Sequence, residues 1–95
     1  GVQPVVMGQS NLSLIPNPNN GAFTVKGSFA SNATQSVTIE VTNVLGQVIY
    51  SGKFEARNGV VDEKVKLNGN IANGMYMVNV RSASETRVFH MVVEQ

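Results

Sequence analysis

Short apolar stretches recur along the chain about every ten residues, with turn-forming residues between them. This spacing is typical of a β-sandwich or barrel, and no stretch keeps the 3.6-residue period of an amphipathic helix. The pattern therefore predicts an all-β domain, an immunoglobulin-like antiparallel β-sandwich of about seven strands. The predicted strands are residues 12–15, 22–29, 36–44, 48–56, 60–67, 75–82 and 87–94.

The clearest strand is the third, at residues 36–44. Val37, Ile39 and Val41 alternate there with polar residues, so one face is predicted to be buried and the other solvated. Turns follow at Leu45-Gly46-Gln47 and at Arg57-Asn58-Gly59, and Asn-Gly favours a tight hairpin. We therefore predict that the third, fourth and fifth strands form a meander.

The last predicted strand, residues 87–94, differs from the others because both of its faces are apolar. Val88 and Val92 share a face with His90, and the opposite face carries Phe89, Met91 and Val93. Two interpretations remain open: a central, fully buried strand, or an edge strand whose exposed side chains and backbone are available to a partner.

Length and charge narrow the classes of function. Ninety-five residues fit a single domain, and the formal net charge is +1 with no basic cluster. Electrostatic attraction to nucleic acid is therefore weak, and no nucleic-acid partner is predicted. The chain has no cysteine, which excludes disulfides, a thiolate nucleophile and cysteine-based zinc sites.

Residues 1–11 read as a linker or processing region, and residues 12–95 as the domain. The N-terminal residues lack the basic-then-apolar layout of a secretory signal, so if the protein is exported, its signal is expected to lie upstream.

Catalytic chemistry is poorly supported. His90 is the only histidine, and a lone imidazole in a strand more often has a structural role than a catalytic one. Asp62 and Glu63 are neighbours on a strand, so they point to opposite faces and cannot share a substrate. The Asn-rich loops at residues 17–20 and 68–73 offer a calcium ion only neutral oxygens, which gives such a site weak support, and no nucleotide-binding glycine motif is present. The chain is predicted not to be an enzyme and to need no cofactor or metal.

The aromatic residues allow two interpretations. Tyr50, Phe54 and Tyr76 could form a sugar-binding platform, but their positions on alternating strands favour packing in the core.

Three short blocks, in order along the chain, resemble one family. The blocks are LIPNPNNG at residues 14–21, NVLGQVIY at residues 43–50 and GMYMVNV at residues 74–80. Each block is common alone, but their order and spacing, followed by a basic-apolar terminal strand, resemble the type A C-terminal sorting domain of type IX secretion in Bacteroidetes. The resemblance covers residues 12–95.

This resemblance implies that the domain is the address of a cargo protein that precedes it. An outer-membrane translocon and its shuttle proteins would recognise the domain, and a sortase-like cysteine peptidase would cut the linker. The protein would pass through the periplasm and end at the outer-membrane surface or outside the cell. A weak homodimer through an edge strand is a further expectation, and an immunoglobulin-like adhesion module that binds carbohydrate or protein is the alternative function.

The terminal strand is the predicted recognition segment, because an apolar edge strand offers backbone groups and side chains together, and because the resemblance implies that the terminal residues direct export. Its residues are Arg87, Val88, Phe89, His90, Met91, Val92, Val93 and Glu94. The PNPNNG and Leu-Gly-Gln motifs are predicted to serve the fold rather than the receptor, because Pro, Asn and Gly there shape the backbone. The motif and turn residues are Pro16, Asn17, Pro18, Asn20, Gly21, Leu45, Gly46, Gln47, Gly74, Met75 and Tyr76. Position 43 is Asn where relatives often have Asp, and either side chain can bond to the nearby backbone.

Overall fold

The computed structural model describes residues 10–95, and this part of the chain contains seven β-strands. Each strand begins and ends within two residues of the predicted bounds. The strands are β1 (Asn11–Ile15), β2 (Ala22–Ser28), β3 (Gln35–Thr42), β4 (Val48–Ala56), β5 (Val60–Lys66), β6 (Gly74–Arg81) and β7 (Thr86–Val93).

The strands form two antiparallel sheets that pack face to face as a sandwich. One sheet has the order β1-β2-β5 and the other the order β4-β3-β6-β7. The predicted all-β sandwich is thus confirmed. The predicted meander is wrong, because β5 pairs with β2 in the three-stranded sheet and not with β4.

The error arises at the turn between β4 and β5. Asn58 and Gly59 both have positive φ, and the N–H of Val60 donates to the carbonyl of Arg57, as in a tight two-residue hairpin turn. The pairing stops after this single bridge between Arg57 and Val60. The turn therefore has the predicted local chemistry but carries the chain from one sheet to the other.

The core lies between the sheets and is built by the alternating residues of both. Val37, Ile39 and Val41 are fully or almost fully buried, as the alternation in β3 predicts. Three aromatic side chains are buried and three others pack partly buried against the core, so the core interpretation of the aromatics is confirmed. The buried aromatics are Phe23, Phe29 and Tyr76, and the partly buried ones are Tyr50, Phe54 and Phe89.

Candidate recognition site

Strand β7 is an edge strand of the four-stranded sheet, with β6 as its only strand neighbour among residues 10–95. Its inner face carries Met91 and Val93, both fully buried, together with the half-buried Phe89. The outer face carries Val88, His90 and Val92, of which the first two are exposed. The structure therefore supports the second interpretation, in which the terminal strand lies at the edge of a sheet. Only the side chains on its outer face are accessible in the folded domain.

The remaining residues of the predicted segment lie at its two ends. The Arg87 guanidinium stacks on the ring of Phe89, 5.2 Å from its centroid, and donates to the carbonyl of Ser10 at 3.4 Å. The Glu94 side chain is exposed, and its N–H donates to the carbonyl of Asn19 at 2.8 Å. Arg87 is thus held against the body of the domain, whereas the Glu94 carboxylate faces solvent.

The loop between β1 and β2 covers the last part of the β7 edge. The side chain of Asn17 donates to the carbonyl of His90 at 2.8 Å and accepts from the N–H of Val92 at 2.9 Å. The backbone of Asn19 continues this ladder, with its N–H donating to the carbonyl of Val92 at 3.0 Å. The loop therefore takes the place of a neighbouring strand along this stretch of β7.

The other residues of this loop shape its backbone. The buried side chain of Asn19 donates to the carbonyl of Pro16 at 3.0 Å and accepts from the N–H of Gly21 at 2.8 Å. Asn20 accepts from the N–H of Ala22 at 3.3 Å. The peptide bonds before Pro16 and Pro18 are both cis.

The β3–β4 turn is organised by Asn43. Its Oδ1 accepts from the N–H groups of Leu45 and Gln47 at 2.9 and 3.0 Å, and its Nδ2 donates to the Gln47 side chain at 2.9 Å. Gly46 has a φ of +82°, a conformation that glycine adopts without steric cost. Asn43, Gly46 and Gln47 thus account for the backbone of the turn.

Two apolar side chains of the same turn have no role in that organisation. Val44 and Leu45 are 79% and 80% exposed. Beside them on the outer face of β6 stand Met75 and Met77, which are 51% and 40% exposed. Single exposed apolar side chains are common on folded domains, so the informative feature is that these four lie side by side.

Between this turn and the strands lies a shallow hollow of about 260 Å³. Val44, Met75, Met77 and His90 line it, with residues of the turn completing its rim. Met77 and His90 are directly paired across β6 and β7, and Met75 is paired with Val92. We call the set Val44, Leu45, Met75, Met77, His90 and Val92 the outer patch. Five of the six residues of the outer patch are valine, leucine or methionine, so its character is mainly apolar.

Hydrogen bonds from Tyr76 and Gln95 hold the start of β6, the strand that carries Met75 and Met77 of the outer patch. Tyr76 is buried and its hydroxyl donates to the carbonyl of Ala72 at 2.6 Å. Gly74 has a φ of +146° and no atom within 4 Å of an added Cβ. Gln95 holds the loop that precedes β6, since its side chain donates to the carbonyl of Ile71 at 2.8 Å.

All three sequence blocks therefore meet at one end of the four-stranded sheet. The first covers the β7 edge, the second forms the turn beside Met75, and the third pairs with the end of β7 from Met91 to Val93. Sequence reasoning did not include Val44 and Met77 in the site. The alternation within β6 places Met77 opposite the buried Tyr76 and Val78, which is a signal that could have found it.

Other chemistry is not favoured in the part of the chain that the structure describes. Residues 10–95 contain no group of three or more histidine, cysteine or acidic side chains that could hold a metal ion. His90 is exposed and its side chain has no hydrogen-bonded carboxylate or hydroxyl partner among these residues, unlike the base of a catalytic triad. In the same range, no helix is long and apolar enough to cross a membrane.

Comparisons with known proteins found a family and a solved structure that bear on this chain. The sequence model of a family described as the secretion system C-terminal sorting domain matches residues 13–94. A crystal structure of dimeric latent PorU from Porphyromonas gingivalis superposes with a TM-score of 0.68 and 19% sequence identity. The match covers 97% of this chain and 10% of the PorU chain, so it shows the fold and spans a small part of that protein. No curated protein matches the chain.

Proposed function

The chain belongs to the family of type IX secretion C-terminal sorting domains, non-catalytic modules that direct secretion across the outer membrane, and from this premise we propose how it is recognised. The type IX secretion machinery binds the outer patch together with the exposed side of β7. A component of the outer-membrane translocon, or a shuttle protein that delivers the domain to it, is the partner that makes this contact.

One observation supports this proposal above the others, namely the meeting of the three sequence blocks around exposed apolar side chains. Most of the motif residues are explained by hydrogen bonds or backbone geometry, as at Asn17, Asn43 and Gly46. Leu45 and Met75 are motif residues whose side chains remain exposed and have no such role. A contiguous apolar patch on the rim of a small domain is typical of a protein interaction site.

The proposal narrows the recognition segment predicted from the sequence. Met91 and Val93 are fully buried and hold β7 in the core, so they act on recognition through the position of the strand. Val88, His90 and Val92 present the accessible side chains. Methionine suits such a surface, because its flexible thioether adapts to differently shaped partners.

Several finer steps belong to the same proposal. A sortase-like cysteine peptidase cuts within or just before residues 1–11, after the preceding cargo has passed from the periplasm to the cell surface or the medium. Residues 1–9 lie outside the described part of the chain, so this step rests on the family alone. A weak homodimer through an edge strand has β7 as its candidate edge, because part of that edge has no strand neighbour among residues 10–95.

An adhesion module for sugars is the less favoured alternative. Sugar platforms need exposed aromatic faces, and all six aromatic side chains of this chain are buried in the core or packed against it. The structure therefore offers no specific observation in favour of that function.

A secretion assay tests the proposal. The chain is fused to the C-terminus of a periplasmic reporter in a Bacteroidetes host with an active type IX system, and reporter activity is measured in the medium and on intact cells. We expect the double variant Leu45→Ser/Met77→Ser to lower the exported reporter at least tenfold. A truncation at residue 87 is less informative, because it also removes Met91 and Val93 from the core.

The matched control is Val60→Ser. Val60 is 57% exposed on β5 of the other sheet, so this change removes an exposed apolar side chain away from the outer patch. Export of the control should stay near that of the unaltered fusion. Equal export of all the fusions would exclude the outer patch as the recognition surface, and periplasmic retention of the unaltered fusion would contradict the sorting role itself.

A further inference from the structure

Three side chains with metal-binding atoms stand together on the outer face of the four-stranded sheet. They are Met75, Met77 and His90, and all three line the hollow of about 260 Å³ beside the β3–β4 turn. They include the only histidine of the chain and two of its four methionines. The atoms that they offer are two thioether sulfurs and the nitrogens of one imidazole, which are ligands for transition metals.

The strand register brings Met77 and His90 close together, because they lie directly opposite each other on β6 and β7. The carbonyl of His90 bonds to Asn17, outside the sheet, so the two residues form a non-hydrogen-bonded pair. In such a pair the two Cβ atoms are only about 4.5–5.5 Å apart. The sulfur of Met77 lies two bonds beyond its Cβ, and the ring nitrogens of His90 lie two or three bonds beyond theirs, so both side chains can reach one ion.

Met75 completes the set from the same strand. It lies two residues before Met77, so it is on the same face of β6, and the two Cα atoms are about 6.8 Å apart. Relative to His90 it occupies the diagonal position, at about 7–8 Å, which a long side chain can span. Both methionines are exposed and unbranched, so they can change rotamer around an ion without disturbing the core.

The surroundings of these three side chains decide which ion fits. Of the described residues, the others that line the hollow are Thr42, Asn43, Val44 and Gly46, and none of them carries a charge. Calcium and magnesium need several oxygen ligands, usually carboxylates, and zinc prefers cysteine, histidine and carboxylate. Thioether sulfur selects Cu(I), and imidazole also binds copper. A neutral ligand set in an apolar hollow holds one positive charge at a lower desolvation cost than two.

We propose that Met75, Met77 and His90 form a binding site for the soft monovalent ion Cu(I), with two sulfur ligands and one nitrogen ligand. Sequence reasoning did not reach this site, because only the register of β6 and β7 places His90 opposite Met77. The inference is independent of the secretion role, since it rests on the ligand atoms and on the strand pairing alone.

Silver titration followed by NMR on the full chain tests this inference and needs no secretion system. Ag(I) has the charge and the ligand preference of Cu(I) and requires no reductant. At about pH 7.5, where imidazole is ordinarily neutral, the methyl signals of Met75 and Met77 and the ring signals of His90 should shift and saturate at one equivalent. The methyl signal of Met91, which is fully buried, should remain constant. Cu(I), kept reduced by ascorbate without oxygen, should shift the same signals.

The variant Met75→Leu/Met77→Leu removes both sulfur atoms and keeps exposed apolar side chains of similar volume, so the fold should be retained. Its affinity for Ag(I) should fall at least about tenfold, because loss of an outer-shell partner alone typically costs that much. His90→Gln should also weaken binding, and it leaves in place the backbone carbonyl that Asn17 contacts. Met91→Leu is the matched control and should bind like the unaltered protein.

Two results would overturn the site itself. One is an equal affinity for Ag(I) of the unaltered protein and the double leucine variant, and the other is the absence of shifts at Met75, Met77 and His90 in a millimolar excess of Ag(I). Titration with Zn(II) tests the choice of ion in the same way. Binding of Zn(II) as tight as that of Cu(I) would contradict the assignment to a soft monovalent ion.

Discussion

The side chain of Asn17 and the backbone of Val92 are joined by a hydrogen bond of 2.9 Å, although 75 positions separate them along the chain. The same amide group donates to the carbonyl of His90, so one side chain satisfies two neighbouring groups of the edge strand. A backbone strand would offer the same pair of donor and acceptor. The first sequence block is therefore part of what holds the terminal strand in place.

This relationship predicts the effect of Asn17→Ala. Two hydrogen bonds at the surface are lost and the backbone groups return to water, so the free energy of unfolding should fall by about 1–2 kcal/mol. Urea denaturation followed by circular dichroism measures the change. Asn20→Ala is the control, because Asn20 makes one local bond of 3.3 Å, and its effect should be smaller.

The variant Asn17→Asp tests the bond to the carbonyl of His90 separately from the bond to the N–H of Val92. The carboxylate keeps an acceptor for the N–H of Val92 but places a second oxygen against the carbonyl of His90. The aspartate variant should therefore be no more stable than the alanine variant. Full stability of the alanine variant would show that the bonds to the β7 edge do not contribute, and full stability of the aspartate variant would show this for the bond to the carbonyl of His90.

The turn between β3 and β4 gives a second prediction. Both bonds that Asn43 accepts use Oδ1, an atom type that aspartate also has. Asn43→Asp should therefore change the free energy of unfolding by less than about 0.5 kcal/mol, whereas Asn43→Ala should lower it by about 1–2 kcal/mol. Urea denaturation, with hydrogen exchange at the Gln47 amide, distinguishes the two. Equal losses would mean that the amide contact with the Gln47 side chain dominates.

Much of the fold could be predicted because the strands have clear local signals. Val37, Ile39 and Val41 alternate with polar residues, and Gly and Asn mark the turns between strands. The partner of β5 could not be predicted in this way. Asn58-Gly59 fixes the turn backbone, but the separation of the strands after Arg57 and Val60 depends on the packing of two sheets.

The candidate site was predicted in part. The apolar residues on both faces of the terminal strand mark it as a candidate recognition segment. They do not show whether the strand lies at the centre or at the edge of its sheet. The contact between Asn17 and His90 joins residues 73 positions apart, and no local pattern reports such a pairing. Val44 and Met77 were missed because an apolar residue in a strand or turn is normally assigned to the core until its exposure is known.

Two glycines of similar conformation give a third prediction. Gly46 and Gly59 have φ values of +82° and +76°, so alanine costs about 1 kcal/mol at either position. A Cβ at Gly46 meets no atom within 4 Å, whereas one at Gly59 overlaps the carbonyl oxygen of Ser31. Gly59→Ala should therefore destabilise the domain by at least about 1 kcal/mol more than Gly46→Ala.

Thermal unfolding compares these two variants. Gly69→Ala is the control, since Gly69 does not need positive φ and a Cβ there meets no atom within 4 Å. Its midpoint should equal that of the unaltered protein. Equal midpoints for Gly46→Ala and Gly59→Ala would mean that the segment containing Ser31 moves aside at no cost.

A pair of leucines separates the residues that build the fold from those that remain for a partner. Leu14 is 7% exposed in the core, so Leu14→Ala should lower the free energy of unfolding by about 2–5 kcal/mol. Leu45 is 80% exposed, and Leu45→Ala should change it by less than about 0.5 kcal/mol. Urea denaturation of both variants measures the difference. If Leu45→Ala costs more than about 1 kcal/mol, Leu45 has a structural role and its exposure no longer argues for a partner. If Leu45→Ala leaves the free energy of unfolding unchanged while export of a fused reporter falls, lost stability does not explain the loss of export. The Leu45 side chain then acts through a contact outside the domain.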